Sequence, residues 1–227
     1  MKKPVFYTEI SYVLAILFIA LGVALAAKAG FGVSMISGPM YTIHLWLSQY
    51  TDIITLGTLE YILQGTVIAL LALLIKSFKI SFLFSFATSV FSGLAIDFMF
   101  WAVEPFNPET LLSRSLFFVA SLLTCAFGVA CIFRAYFSPA GNELFVKEFS
   151  AHFNKDIHKV KTAYDISFFV ISVILNLVLF GGFVGIGIGT VITAFANGPI
   201  ISVFSKFLEK NFEFKDGIPK LAAYFRK

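Results

Sequence analysis

Charged residues are scarce in this chain: Asp, Glu, Lys and Arg together make up 13% of its 227 residues, about half the share of a soluble domain. Cysteine is scarce too, and Cys125 and Cys131 lie within one apolar run at a spacing that fits neither an intrahelical disulfide nor a metal motif. The net charge of +4 does not indicate a nucleic-acid partner. The basic residues lie between the apolar runs and do not form one basic surface.

Apolar residues dominate instead, at 59% of the chain with 29 phenylalanines. Six runs are long enough to cross about 30 Å of hydrocarbon, at residues 10–27, 54–75, 80–100, 115–133, 164–180 and 185–204. The predicted fold class is therefore all-α, a polytopic membrane protein with six transmembrane helices. The first run follows Met1-Lys2-Lys3 and imitates a secretory signal, but its length favours a retained span.

The Lys and Arg residues are distributed unevenly over the connections. The first and third connections and the helix ends beside them contain only Lys28 and Arg114. All the remaining Lys and Arg residues of the 17 lie in the N-terminus, the second and fourth connections and the C-terminal tail, or at the span ends beside them. By the positive-inside rule this asymmetry predicts that both termini are cytoplasmic.

The two halves of the chain resemble each other. Residues 22–29 and 128–135 both begin Gly-Val-Ala and both end with a base followed by Ala. Glu60 corresponds to Asp165 at nearly the same offset, about 105 residues. Since each unit contains three spans, an odd number, the second unit should be inverted in the membrane. We predict an N-terminal repeat at 1–105, a C-terminal repeat at 106–206 and a cytoplasmic tail at 207–227.

Five charged residues fall inside the predicted spans or at their ends: Lys28, Glu60, Asp97, Arg134 and Asp165. The first three lie toward the outer side and the last two toward the inner side, so each half has a base and an acid at matched positions. This favours pairing, and the alternative is that each charge extends to the lipid headgroups. Glu60 is the strongest candidate for a substrate or gating residue, because Gln64 shares its helix face.

Irregular segments follow the first and fourth spans. Both are rich in helix breakers, namely Gly30, Gly32, Gly38 and Pro39 in the first and Pro139 and Gly141 in the second. They also contain polar candidates for binding or gating: Ser34, Ser37, Asn142 and Glu143. A short helix is expected behind each break. One interpretation is a pair of re-entrant gates whose helix N-termini face a polar ligand, and the other is a pair of surface turns with interfacial helices.

The sixth span contains Gly187, Gly189, Gly198 and Pro199, which predict a discontinuous helix. These small residues indicate either close helix packing or a broken substrate-binding helix. Three polar residues, Asn176, Thr190 and Asn197, complete the candidate set and are expected to face the bundle. The histidines match no ligand or catalytic spacing, so we expect neither an enzyme nor a cofactor or metal.

Three motifs resemble the YczE/YyaS/YitT group of bacterial membrane proteins: AKAGFGVSMIS at 27–37, VKTAYDIS at 160–167 and GIGTVITA at 187–194. The resemblance extends over most of the chain. The group has an acidic residue among the glycines of the last motif, where this chain has Gly187 and Ile188. The resemblance implies a bacterial inner-membrane protein, in a group that mostly lacks an assigned substrate.

We therefore predict a small secondary transporter, or the membrane substrate-binding subunit of a larger transporter, for an organic solute. Its expected partners are the lipid bilayer, the solute, and either a second copy of the chain or a larger transporter complex. The alternative is a membrane accessory protein that acts through cytoplasmic contacts. A carrier needs a polar pocket near the middle of the membrane, whereas an accessory protein should be packed solid there.

Overall fold

The computed structural model describes residues 3–225, so Lys2, Arg226 and Lys227 of the predicted cytoplasmic side lie outside it. The elements, in chain order, are β1 (Val5–Tyr7), α1 (Thr8–Ala29), α2 (Gly38–Leu47), α3 (Leu56–Ile75), α4 (Ile80–Val103), α5 (Leu111–Ile132), α6 (Gly141–His152), α7 (Ile157–Phe180), α8 (Ile188–Asn211), β2 (Glu213–Lys215) and α9 (Pro219–Phe225).

Six of these helices, α1, α3, α4, α5, α7 and α8, are long and apolar enough to cross a membrane. This confirms the predicted all-α class and the number of spans. Large apolar side chains point outward from them, such as Leu73, Val178 and Phe195, which are 74%, 75% and 78% exposed. Surfaces of this kind are stable in lipid and unfavourable in water.

Side-chain caps explain several helix boundaries that differ from the predicted ones. Thr55 and Thr110 accept backbone N–H groups at the starts of α3 and α5, and Asp156 does so at the start of α7. At the other end of α1, Gly30 adopts the left-handed conformation (φ 68°) that terminates helices. Local capping thus shifts these helix ends by two to seven residues relative to the apolar runs.

The last span departs most from expectation. We predicted a discontinuous helix from residue 185 to 204, but α8 starts at Ile188 and continues without interruption to Asn211. Pro199 lies inside it, where it removes one backbone hydrogen bond without breaking the helix. The tail therefore begins five residues later than the predicted boundary at 207.

The two halves meet at an antiparallel crossing of α1 and α5. A Cβ atom added to Gly22 would lie 2.8 Å from the Cβ of Cys125, and one added to Gly128 would lie 2.8 Å from the backbone nitrogen of Ile19. Both glycines therefore permit close approach of the two helix backbones. Around this crossing α4 packs on α1 and α8 packs on α5.

The two chain ends are joined at one end of the bundle. Strands β1 and β2 pair in parallel, with Val5 opposite Glu213. The Glu9 carboxylate accepts hydrogen bonds from Tyr136 Oη and from the backbone N–H groups of Gly217 and Ile218. The N-terminus, the C-terminal segment and the segment after α5 thus lie at the same end.

Candidate functional site

Glu60 is deeply buried in the first part of α3, with 3% of its surface exposed. The Ser37 hydroxyl donates a hydrogen bond to its carboxylate. The other carboxylate oxygen, Oε1, has no hydrogen-bond partner among the described residues. A buried acidic side chain with an unsatisfied oxygen is costly for a fold, so Glu60 is the centre of the candidate site.

The start of α2 positions Ser37. This residue is the N-cap of α2, but its hydroxyl makes no capping hydrogen bond and is free to reach Glu60. Ser34 holds the turn, because its Oγ accepts the Ser37 N–H and its carbonyl accepts the Gly38 N–H. A Cβ atom added to Gly38 would lie 2.4 Å from the Ser172 hydroxyl oxygen of α7, so the absence of a side chain permits this close approach of α2 to α7.

Asn176 of α7 anchors the rest of α2. This fully buried amide donates to Thr42 Oγ1 at 2.7 Å and accepts the Val184 N–H at 2.6 Å. All its contacts lie inside the protein, as expected for a polar residue in an apolar span. The contact holds α2 against the C-terminal half of α7.

The start of α6 is bound one helical turn further along α3. Gly141, the first residue of α6, donates its N–H to Gln64 Oε1 at 2.9 Å and to Ser89 Oγ at 3.1 Å. Ser89 in turn donates to Gln64 Oε1 at 2.8 Å. Gln64 and Ser89 are both buried, so side chains of α3 and α4 cap a helix that has no side-chain cap of its own.

The two short helices lead away from this region in opposite directions. Beyond its start, α2 extends toward the end of the bundle where α3 begins, and His44 packs edge-on against Phe100 there. In contrast, α6 extends toward the end where α3 finishes, and Leu144 packs with Ile75 there. The N-termini of α2 and α6 therefore contact one face of α3 about 6 Å apart, at Glu60 and Gln64.

A second carboxylate, Glu143, lies in the first turn of α6 and acts electrostatically on Glu60. It retains exposed surface, yet enough protein surrounds it that burial raises its pKa above the ordinary carboxyl value, while the nearby Lys161 opposes that rise. These two observations together describe a carboxylate in a recess. Tyr164 borders the recess and donates to Asn142 Oδ1 at 2.7 Å.

The predicted base–acid pairs are not formed among the described residues. Lys28 donates to the Glu104 carbonyl and to Asn107 Oδ1 and does not reach Glu60. The two predicted inner residues also have separate partners. Arg134 pairs with Glu209, and Asp165 pairs with Lys161 one turn earlier in α7. Matched positions in the two halves therefore did not identify the partners.

Asp97 stabilises a helix end and is not part of the Glu60 site. Its carboxylate accepts the Thr55 hydroxyl at 2.7 Å and the Gly57 N–H at 2.8 Å, at the start of α3. Together with His44 it borders a small cleft of about 120 Å³ between α2, α3 and α4. That volume is below the roughly 300 Å³ of a small organic ligand site.

The two glycine-rich segments pack against each other. Gly189 donates its N–H to the Phe31 carbonyl at 2.8 Å, and a Cβ atom on Gly32 would lie 2.5 Å from Thr190 Oγ1. Thr190 itself is fully buried and accepts the Gly187 N–H. These contacts favour the close-packing interpretation of the glycines before and at the start of α8.

The remaining candidates lie apart from Glu60. Asn197 has an inward carbonyl oxygen without a partner among the described residues, on the part of α8 where a Cβ atom at Gly198 would meet open space. Pro139 precedes α6, in a segment where the Ser138 carbonyl accepts the Thr88 hydroxyl. Pro39 is buried near the start of α2. None of these residues is shown in contact with Glu60.

Sequence reasoning missed two residues. Ser89 has no neighbour in sequence that would mark it, and only the docking of α6 reveals its function. Arg114 donates to the carbonyls of Ala29 and Gly30 and its guanidinium stacks over the Phe31 ring, so it caps α1 from another helix. Arg114 is one of only two bases predicted on the outer side, and this scarcity was the signal that could have indicated a specific role.

A family model described as a family of unknown function (DUF6198) matches residues 6–206. No curated protein matches the chain, and no solved structure matches it. The description does not mention the YczE/YyaS/YitT group, so that resemblance stays a prediction.

Proposed function

We propose that this protein, which belongs to the DUF6198 family, is a small secondary carrier for an organic solute. In this proposal the substrate site forms around Glu60, between the starts of α2 and α6. The observation on which it depends is the meeting of two short-helix N-termini beside an acidic side chain whose Oε1 has no partner. Half-helices that start at membrane depth are a recurrent way to bind polar solutes in carriers.

The directions of the short helices support this proposal. Because α2 and α6 diverge toward opposite ends of the bundle, both would start near the middle of a membrane and extend toward its opposite sides. Gln64, which binds the start of α6, is the ninth residue of the 20-residue α3. A helix that starts at this depth has backbone N–H groups that need hydrogen-bond acceptors from the protein. For the Gly141 N–H, these acceptors are Gln64 and Ser89.

An inverted repeat is also part of the proposal, and the α1–α5 crossing supports it. Gly22 faces Cys125 as Gly128 faces Ile19, and the offset of 106 exchanges these two pairs. The same exchange relates the packing of α2 on α7 to that of α6 on α3. An antiparallel, reciprocal crossing is what a two-fold axis in the membrane plane would produce.

The topology would place both termini in the cytoplasm of a bacterium, as the Lys and Arg distribution predicts. Starting from a variant without Cys125 and Cys131, single cysteines at Glu109 and Lys155 provide the test. We expect an impermeant thiol reagent to label the Glu109 position in intact cells and the Lys155 position only after permeabilisation. Labelling of both positions from one side would contradict an inverted repeat.

Transport itself can be tested with purified protein in liposomes and a panel of radiolabelled amines, amino acids and carboxylates. We expect uptake of one class by the wild type and its loss in Glu60→Gln, which keeps the shape of the side chain but removes its charge. Glu109→Gln is the matched control, because Glu109 is an exposed loop residue. Equal uptake by Glu60→Gln and wild type would remove Glu60 from the site.

A second candidate function is an accessory protein that transports nothing. It is favoured by the observation that neither of two cavities among the described residues, one beside Lys76 at the end of α3 and one beside Asp97, is lined by Glu60. Exposed bases such as Lys147 and Lys155 would then bind a cytoplasmic partner. Absence of uptake of every solute class by the wild-type protein in liposomes, together with loss of a co-purifying cytoplasmic partner in a Lys147→Glu, Lys155→Glu variant, would support this second function over the first.

A further inference from the structure

We infer that Glu60 and Glu143 form a proton-binding site, in which Glu60 is the buried acceptor and Glu143 is the acceptor that communicates with water. The binding site stands on the structure alone, and its use in coupling rests on the proposed carrier function. In that use, the proton is the coupling ion. One proton moves from water to a carboxylate oxygen and leaves again, with no change in electron count.

The unsatisfied oxygen of Glu60 is the first argument. Its only described donor is the Ser37 hydroxyl, and Oε1 is buried without a partner. An ionised carboxylate in this position would be a buried charge without a counter-ion, which costs several kcal/mol or more. A bound proton removes that charge.

Among the described residues, no basic side chain is placed to act as a counter-ion for Glu60, and His44 on α2 packs against Phe100 near the end of α4. On α4, Asp97 is acidic and already accepts two hydrogen bonds. On α6, Glu143 adds a second negative charge. On α7, Tyr164 is neutral and Asp165 pairs with the one nearby base, Lys161. Cys125 on α5 also senses Glu143 and carries no positive charge.

The position of Glu143 is the second argument. It retains exposed surface while Glu60 does not, and it acts electrostatically on Glu60, Cys125 and Tyr164. A carboxylate that is near both water and a buried carboxylate can pass protons between them. Like charges in one recess also favour retention of one proton by the pair.

Infrared difference spectroscopy of the full-length protein in detergent tests proton binding without any solute. In the wild type, we expect a protonated-carboxyl band near neutral pH that disappears as the pH rises. The band should be absent in Glu60→Gln and unchanged in Glu109→Gln. In Glu143→Gln it should remain, but disappear at a different pH from the wild type. A band that persists in both Glu60→Gln and Glu143→Gln would overturn the inference.

Thermal unfolding in the same detergent provides a second readout. The folded protein would hold a proton that the unfolded chain has released near neutral pH, so stability should fall as the pH rises. We expect this dependence in the wild type and a flatter one in Glu60→Gln. Glu60→Asp, which keeps the acid, replaces it if Glu60→Gln does not fold, and should retain the band.

Unfolding measurements with sodium and assays of solute transport distinguish the remaining outcomes. NaCl could raise the unfolding temperature of the wild type where choline chloride does not, with no carboxyl band present. If Glu60→Gln also loses this rise, the ion bound at Glu60 is sodium and the proton site is contradicted. A titrating band in a protein that moves no solute would sustain the proton site and contradict the carrier function. Solute uptake that ignores a pH gradient, with no band, would overturn the proton site and leave the carrier function standing.

Discussion

The starts of α2 and α6 contact the same face of α3 one turn apart, yet their surroundings differ. At the start of α6, Gly141 and Ser89 donate to Gln64 Oε1, and none of these three residues has a fully buried side-chain polar atom without a partner among the described residues. At the start of α2, Ser37 donates to Glu60, and one carboxylate oxygen remains without a partner. One contact is neutral and complete, and the other is acidic and incomplete.

This difference separates a structural contact from a functional one. A complete buried network rigidifies a fold, whereas an unsatisfied buried acid lowers stability and has to be explained by something it binds. We therefore expect substitutions at Gln64 to act mainly on stability and substitutions at Glu60 mainly on activity.

The largest stability effect should come from Gln64→Leu. The substitution removes the Gln64 acceptor from two donors, although the Gly141 N–H retains Ser89 Oγ and the Ser89 hydroxyl retains the Ser85 carbonyl. The two lost hydrogen bonds contribute roughly 0.5–1.5 kcal/mol each. Thermal unfolding in one detergent would show a large decrease in midpoint relative to wild type. Gln64→Glu retains the acceptor oxygen and is the matched control. A Gln64→Leu protein as stable as wild type would remove the distinction between the two contacts.

A smaller effect is expected from Ser37→Ala, which removes the described donor to Glu60. A hydrogen bond to a charged group contributes roughly 1.5–3 kcal/mol, and one to a neutral group about 1 kcal/mol. The loss in unfolding midpoint should therefore be greater at high pH, where Glu60 ionises, than at low pH. Ser34→Ala, whose hydroxyl accepts only the Ser37 N–H, serves as the control. Equal losses at both pH values would show that the proton state of Glu60 does not matter there.

The smallest effect on stability should come from Lys161→Ala. The Lys161–Asp165 pair is partly exposed, and such pairs contribute roughly 0–1 kcal/mol. Because Lys161 opposes the rise in the pKa of Glu143, its removal should raise that pKa further. The carboxyl band should then persist to a higher pH than in wild type. An unchanged titration would show that Lys161 does not act on the recess.

Much of the fold could be predicted from local patterns. The six apolar runs became six helices, and the expected short helices appeared behind both breaks as α2 and α6. The rings of Phe145, Phe149 and Phe153, which recur every four residues, also pack in series, the first pair stacked and the second tilted. These features depend on residues that are close in sequence, so composition and periodicity are sufficient to indicate them.

The site could be predicted only in part. The shared face of Glu60 and Gln64 follows from helix geometry, but the burial of Glu60 and the partners of both residues do not. Lys28 was expected to reach Glu60 and instead binds the segment after α4. A long side chain near a helix end can reach several groups, and sequence spacing does not determine which of them is nearest.

The sequence by itself determined that this is a helical protein with six apolar runs of membrane-spanning length, two irregular segments and one acid, Glu60, within the second run, because the cost of exposing backbone to hydrocarbon leaves few alternatives. The tertiary structure alone decided that Ser37 and Glu143 are the groups near that acid, that Asp97 and Arg114 stabilise helix ends, and that Gln64 caps α6. Those contacts join residues about 20 to 85 positions apart in the sequence. They arise only when helices that are distant in sequence pack, since no local propensity specifies which side chains then lie within hydrogen-bond distance.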